Sequence, residues 1–319
     1  MYFLSVISIF KNEATIIKEW IRHYIEEGVE HFYLIENGSS DDFESQIEEY
    51  KDKITLFRDS AEGIQVTGYD KYMIPKFEET EWLILCDLDE FIWAPDKNNT
   101  IASVLRSLDD NVGAIKIPWI MYGSSGHISQ PDSVVPNFTK RVDYDKDETR
   151  VFKKRDDGHK WIESKCIARG SAATNFAIHH IYTKSDYKVL NFNLEEIDDI
   201  DQSFQIISNE KIKTAKLRLN HYPIQSLEWF KKVKMTRGDA FGGAGNRVRD
   251  ENYFREYDLN DIDDDELYQK HKHLYADHVK KENEDIEHFI TIYKDVNIYT
   301  LLISLVFMLG ILGIVMVYM

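Results

Sequence analysis

Cysteine is scarce in this chain: Cys86 and Cys166 are the only two among 319 residues, and they lie far apart. They make neither a disulfide framework nor the paired spacing of a zinc site, so buried free thiols in a reducing compartment are expected. Basic charge is also short. Lys and Arg number 39 against 56 Asp and Glu, a formal net charge of -17 at pH 7. That balance excludes a general nucleic-acid binder, whose field must attract phosphate. A small phosphate-bearing substrate stays compatible if a divalent cation bridges the two negative partners. The opening stretch YFLSVISIFKNE has no basic leader, no long apolar core and no small-residue cleavage site. It reads as a buried strand, not as a signal peptide. Internal repeats and low-complexity tracts are missing as well.

What is present is ample material for a core, since 43% of the residues are hydrophobic. After the first strand, residues 14–28 predict an amphipathic helix, with Ile17, Trp20, Ile21, Tyr24 and Ile25 three or four apart and Gly28 closing it. HFYLIE (31–36) and ITLFRD (54–59) read as further strands, residues 43–50 and 66–79 as helices. WLILCDLDEFI (82–92) runs from a buried strand directly into acidic residues. This alternation predicts an open α/β sheet over the first ~95 residues. Ligands of such sheets sit beyond the C-terminal strand ends, where Asn12, Asn37, Asp59 and Asp87 converge.

Downstream, residues 113–126 read as a strand ending in a glycine-rich loop. Residues 134–195 read as short strands mixed with polar loops, 216–223 as a short strand and 227–239 as a helix. The acidic stretch 253–271 is expected to be a solvated face, and 270–293 a polar helix. From Val296 to Met319 no residue is charged. About 20 apolar residues suffice to cross a bilayer, so this stretch predicts a membrane-spanning tail anchor with the large domain on the cytoplasmic side.

The sharpest local signal is Asp87-Leu88-Asp89-Glu90, placed where a buried strand ends. Converging carboxylates repel one another unless a cation neutralises them. Mg²⁺ or Mn²⁺ takes such oxygen ligands, completes its shell with diphosphate oxygens and polarises a diphosphate leaving group. A helix-capping or salt-bridged acidic turn is the plainer alternative.

FKNE (10–13), the stretch from Glu19 to Asp42, LILCDLDEF (83–91) and NHY (220–222) together resemble the GT-A glycosyltransferases of family 2-like and family 92-like type, over roughly residues 3–240. The resemblance implies a GT-A-type αβα sandwich with a mainly parallel sheet. Its domain would span 1–250, with a nucleotide-binding half (1–95) and an acceptor-side half (96–250), followed by an acidic helical linker (251–295) and the transmembrane helix (296–319). It implies a metal-dependent, inverting hexosyl transfer from a nucleotide-sugar, a UDP-hexose above all, to a glycan, glycoprotein or glycolipid at a membrane. Asn12, Glu13, Asn37, Asp41 and Asp59 then match nucleotide-binding positions. Asp87, Asp89 and His221 match the metal site, and Asp87 and Glu90 the ribose and donor sugar.

Lys234 and Arg237, three apart on the helix expected over 227–239, suit a diphosphate clamp aided by backbone N–H groups of the GGAG loop. Two ordinary surface cations are the alternative. Lys160, Trp161 and Lys165 resemble a cleft-lining segment, with Trp161 able to stack on a sugar or simply to pack. An inverting transfer needs a group that takes the acceptor proton. Glu163 ranks first for that role and His179 second, ahead of His180, Glu195, Glu196 and Asp198. Two other classes remain in view. A nucleotidyltransferase would want a glycine-rich basic loop that FKNEATI lacks, and an inactive membrane-tethered carbohydrate-binding scaffold would have no use for the acidic triad.

Overall fold

The computed structural model describes residues 1–146, 151–198, 204–237 and 249–276. Contacts divide the chain into a compact unit, Met1–Lys270, and a remainder, His271–Met319. Every strand among the described residues belongs to the first unit.

The chain opens with β1 (Tyr2–Phe10), buried along most of its length. It then makes α1 (Ile17–Glu26), β2 (His31–Glu36), α2 (Phe43–Ile47), β3 (Ile54–Arg58), α3 (Gln65–Met73) and β4 (Thr80–Leu85). These strands pair in parallel in the order β3-β2-β1-β4. A strand with partners on both edges and helices over its faces is mostly apolar, as β1 and β2 are apart from Ser5, Ser8, His31 and Glu36. α1 buries Ile17, Trp20, Ile21 and Tyr24 on one stripe. It is released by Gly28, whose φ of 93° and missing Cβ are both required, because a Cβ there would stand 2.5 Å from Ala102.

Beyond β4 come β5 (Glu90–Trp93), α4 (Ile101–Arg106), β6 (Val112–Met121), β7 (Lys140–Arg141), β8 (Lys153–Lys154) and β9 (Lys160–Arg169). The hairpin β10 (Ala173–Phe176) and β11 (Ile181–Thr183) precedes β12 (Lys188–Asn191), β13 (Glu196–Ile197) and β14 (Phe204–Ile206). The described part of the unit closes with α5 (Asn209–Thr214), β15 (Arg218–His221), α6 (Leu227–Lys232), α7 (Glu251–Tyr257), β16 (Ile262–Asp263) and α8 (Glu266–His271). β9 runs antiparallel between β4 and β6 and joins the parallel half to the rest. β12 is parallel to β6, and β15 is parallel to β6 and antiparallel to β5. The result is a mixed, mostly parallel sheet with flanking helices.

Three expectations change. First, the expected membrane-spanning helix does not stand. Among the described residues no helix is long and apolar enough to cross a membrane. The longest, α1, has 10 residues and so extends about 15 Å, half of a ~30 Å hydrocarbon core. The stretch 296–319 lies outside the described residues, so the transmembrane part of the fold, the membrane as a partner, the single-pass topology and the cytoplasmic placement that depends on it are withdrawn. Second, the region read as short strands and loops contains β9, a strand of 10 residues at the centre of the sheet. Third, the helix expected over 227–239 ends at Lys232, and Lys234–Thr236 form a 3₁₀ turn.

Candidate active site

The C-terminal ends of β1, β2 and β4 and the ends of β6 and β15 open on one cleft of about 500 Å³. Its floor is the acidic turn after β4. Helix α1 holds that turn from behind. Trp20 Nε1 donates to the carbonyls of Asp87 (3.2 Å) and Glu90 (3.0 Å), and the Tyr24 hydroxyl donates to Glu90 O (3.1 Å) and accepts from Ile92 N (2.9 Å). Within the turn, Asp87 N donates to Glu90 Oε2 at 2.8 Å. The turn's conformation therefore rests on buried aromatic donors supplied by the first helix.

Three side chains converge on this floor. Glu90 begins β5 and His221 ends β15, and the antiparallel register sets them directly opposite each other. Ligand atoms of Asp89, Glu90 and His221 all lie within 4.8 Å of one another, and all three residues are buried. Glu90 Oε1 and His221 Nδ1 are buried with no hydrogen-bond partner among the described residues. Unpartnered buried acceptors are costly. Two carboxylates and an imidazole suit an oxygen- and nitrogen-seeking divalent cation such as Mn²⁺ or Mg²⁺. The residues present fit that ion.

Cations of the chain partly balance the carboxylates. Lys165 Nζ, fully buried, lies 3.0 Å from Asp87 Oδ2 and 3.7 Å from Glu90 Oε2. Burial opposes its charge, but Asp87 and Glu90 outweigh burial and hold the ammonium above its usual range. Lys234 Nζ lies 2.6 Å from Asp89 Oδ2, while His221 Nε2 stands 3.6 Å from Asp89 Oδ1, too far for a hydrogen bond. Burial pushes Asp89 upward, yet Lys234 and His221 overcome it and keep the carboxylate well below its usual range. Glu90 is pushed well above its usual range by burial, which Lys165 only partly offsets. Burial lowers both His221 and Lys234.

The cleft wall carries the other candidates. Glu13, raised by burial against the pull of Arg237, pairs with Arg237 Nη2 at 2.5 Å, and Arg237 also donates to the Lys11 carbonyl. On the opposite side, Glu163 of β9 has Oε2 3.7 Å from His179 Nδ1. Burial, with the nearby positive charge of Lys165, pushes His179 down to about 3, so its imidazole is neutral.

The cleft thus brings together Glu13, Asn37, Asp87, Asp89, His221, Glu163, His179, Lys234 and Arg237, with Glu90 buried under the floor. The remaining positions do not line the cleft. Asn12, at a φ of 55°, accepts from Ser40 N at 2.8 Å, and Asp41 accepts from Ala14 N at 2.7 Å, so the two loops after β1 and β2 are tied together. Asp59 accepts from the Tyr72 hydroxyl at 2.9 Å and from Lys71 at 3.2 Å, and Asn37 Nδ2 donates to its carbonyl at 2.6 Å. Glu195 is bound to Asn191 and Glu196 to Lys188, away from the cleft. The GGAG loop lies outside the described residues. Sequence reasoning missed Gln65, Trp119, Arg249, Tyr253 and Tyr257, which also line the cleft. Of these only Trp119 carries a signal, an aromatic at the end of a strand leading into a glycine-rich loop. Both cysteines are buried and free.

A mixed α/β sheet with a buried acidic turn suited to a cation at its strand ends defines an α/β protein with a candidate divalent-cation site. Residues 76–266 match the model of glycosyltransferase family 92, and the chain belongs to that family. Relatives include a family 92 protein of Oryza sativa subsp. japonica, 24% identical over 234 residues that make up 72% of this chain and 34% of the relative. One of Ricinus communis is 24% identical over 235 residues, 72% of this chain and 37% of the relative. The chain thus spans about a third of the length of the curated relatives it matches. Among solved structures, Staphylococcus aureus TarS 1-349 gives a TM-score of 0.31 at 15% identity, covering 53% of this chain and 48% of that one. Glucosyl-3-phosphoglycerate synthase of Mycobacterium tuberculosis, solved with Mn²⁺, UDP and glucosyl-3-phosphoglycerate, gives 0.25 at 14% identity over 37% and 44% of the two chains. Likeness at this level is too weak to bear on activity.

Proposed function

We propose that this chain transfers a sugar from a nucleotide-sugar, a UDP-hexose foremost, to a glycan hydroxyl with inversion, assisted by Mn²⁺ or Mg²⁺. The observation that carries the reading is the buried convergence of Asp89, Glu90 and His221 at the strand ends, with Glu90 Oε1 and His221 Nδ1 buried and unpartnered among the described residues. A divalent ion held there supplies positive charge to the diphosphate leaving group. Asp87 completes the acidic edge, tethered by Lys165. Arg237 lies on the same cleft, with N–H donors of the kind that bind a diphosphate. Asn37 and Gln65 line its nucleoside end, and the loops tied by Asn12, Asp41 and Asp59 shape that end.

Glu163 is the acceptor-side base. Its carboxylate takes the proton of the acceptor hydroxyl, the oxygen attacks the anomeric carbon, and the carbon–oxygen bond to diphosphate breaks with its electron pair leaving on the nucleoside diphosphate. His179 stands beside it with its imidazole held neutral, and so does not draw the acceptor proton away from Glu163.

The test is donor hydrolysis and nucleotide binding by the full chain, across UDP-, GDP- and CMP-sugars, with Mn²⁺, Mg²⁺ or EDTA. Metal-dependent release from one donor, lost in Asp89→Ala, is expected. Folded protein that neither binds nucleotide nor turns over any donor would sink the reading.

A further inference from the structure

Alternate residues of a strand share a face. Along β9 one such row runs from Lys165, under the acidic turn, to Glu163 on the cleft wall and on to Trp161, about 7 Å beyond Glu163. In the register of β9 with β14, Phe204 stands opposite Glu163 and Ile206 opposite Trp161. All four side chains therefore lie on the face that carries the candidate base. The rings of Trp161 and Phe204, both half-buried, have centroids 5.1 Å apart. Trp161 and Phe204 line a second groove of about 860 Å³, whose rim carries Lys154, Arg155, Asp156, Asp157 and Asp198. Lys153 Nζ sits 3.9 Å from the Phe204 centroid, and the Arg155 guanidinium 5.5 Å from that of Trp161. These cations fix the rings before any ligand arrives.

We propose that this groove holds the neutral oligosaccharide chain of the acceptor, with Trp161 and Phe204 as its platform, and delivers the chain's terminal hydroxyl to Glu163. The inference rests on the transferase reading above. Sugar rings present apolar C–H faces and hydroxyl edges. Aromatic faces flanked by charged hydrogen-bonding groups match both surfaces at once. Among the described residues, Lys153, Lys154 and Arg155 face Asp156, Asp157 and Asp198 around the groove, a balance that favours a neutral occupant over a polyanion. The strand gives the occupant its direction: Glu163, two residues along β9 from Trp161 on the same face, lines the first cleft, while Trp161 lines this groove.

The test is calorimetric titration of the full chain with neutral gluco-, galacto- and manno-oligosaccharides graded from monosaccharide to hexasaccharide. UDP with Mn²⁺ is titrated in parallel. Affinity should rise with chain length in one series. Trp161→Ala and Phe204→Ala should each weaken it by about ten-fold, leave UDP binding unchanged, and Trp161→Phe should restore most of the loss. Far-UV circular dichroism screens folding, and Phe204→Ala serves if Trp161→Ala unfolds. Intact UDP binding with no oligosaccharide affinity, or with affinity indifferent to both variants, overturns the groove and leaves the transferase reading standing. Folded wild-type chain that binds no nucleotide overturns both.

Discussion

The ammonium of Lys234 lies 2.6 Å from Oδ2 of Asp89, with both side chains buried. The chain thus places its own cation on a carboxylate of the candidate metal site. Removing it leaves Asp89 buried and under-compensated, which costs on the order of 3 kcal/mol. Lys234→Met is therefore expected to melt well below wild type in EDTA, and to regain more stability than wild type when Mn²⁺ is added. Thermal melts with and without the ion check this; equal metal-induced shifts in the two proteins would contradict it.

A second expectation concerns acid. His179 titrates near 3 in the folded chain against an ordinary value of 6.5. As pH falls through that window the unfolded chain binds the proton first, so this residue's contribution is present above 6.5 and lost toward about 3. Its slope is at most about 1.4 kcal/mol per pH unit. Urea midpoints followed across the window should fall less steeply in His179→Asn than in wild type.

Trp20→Phe keeps the buried ring but removes the N–H that serves Asp87 O and Glu90 O. A loss of about 1–2 kcal/mol in stability is expected, with weaker Mn²⁺ binding because the acidic turn is no longer fixed. Denaturant unfolding and metal titration measure the two effects separately. Undiminished metal affinity would show that the turn holds itself.

Glu163→Gln should leave nucleotide binding intact while lowering transfer by about 10²–10⁴-fold. His179→Gln should cost less, because His179 only neighbours Glu163 and does not take the proton. Single-turnover transfer rates distinguish the two, and the reverse order would assign the proton transfer to His179.

The parallel half of the sheet and the acidic turn were legible because apolar strands and polar loops alternate cleanly there. Residues 31–36 form the expected strand, and the Asp-Leu-Asp-Glu stretch begins one residue after β4. The central strand β9 was not legible. Lys160, Lys165 and Arg169 interrupt its apolar pattern, and their burial depends on partners distant in sequence. Lys165 meets Asp87 and Glu90, while Arg169 meets Glu81 at 3.0 Å. The resemblance matches Glu90 to a donor-sugar contact, whereas its place beside His221 follows from a strand register that no local pattern encodes. Lys234 reaches Asp89 although the helix expected to carry it stops at Lys232.

Because the support of the acidic turn, the cleft wall and the platform all hang from alternate positions of β9, a single residue inserted or deleted between Lys165 and Arg169 would turn Lys165, Glu163 and Trp161 to the opposite side together. Substitution can tune each of the three alone, whereas a change of length there strikes all of them at once. The loops around the strand, not the strand itself, are where this chain can gain or lose residues and keep its cleft.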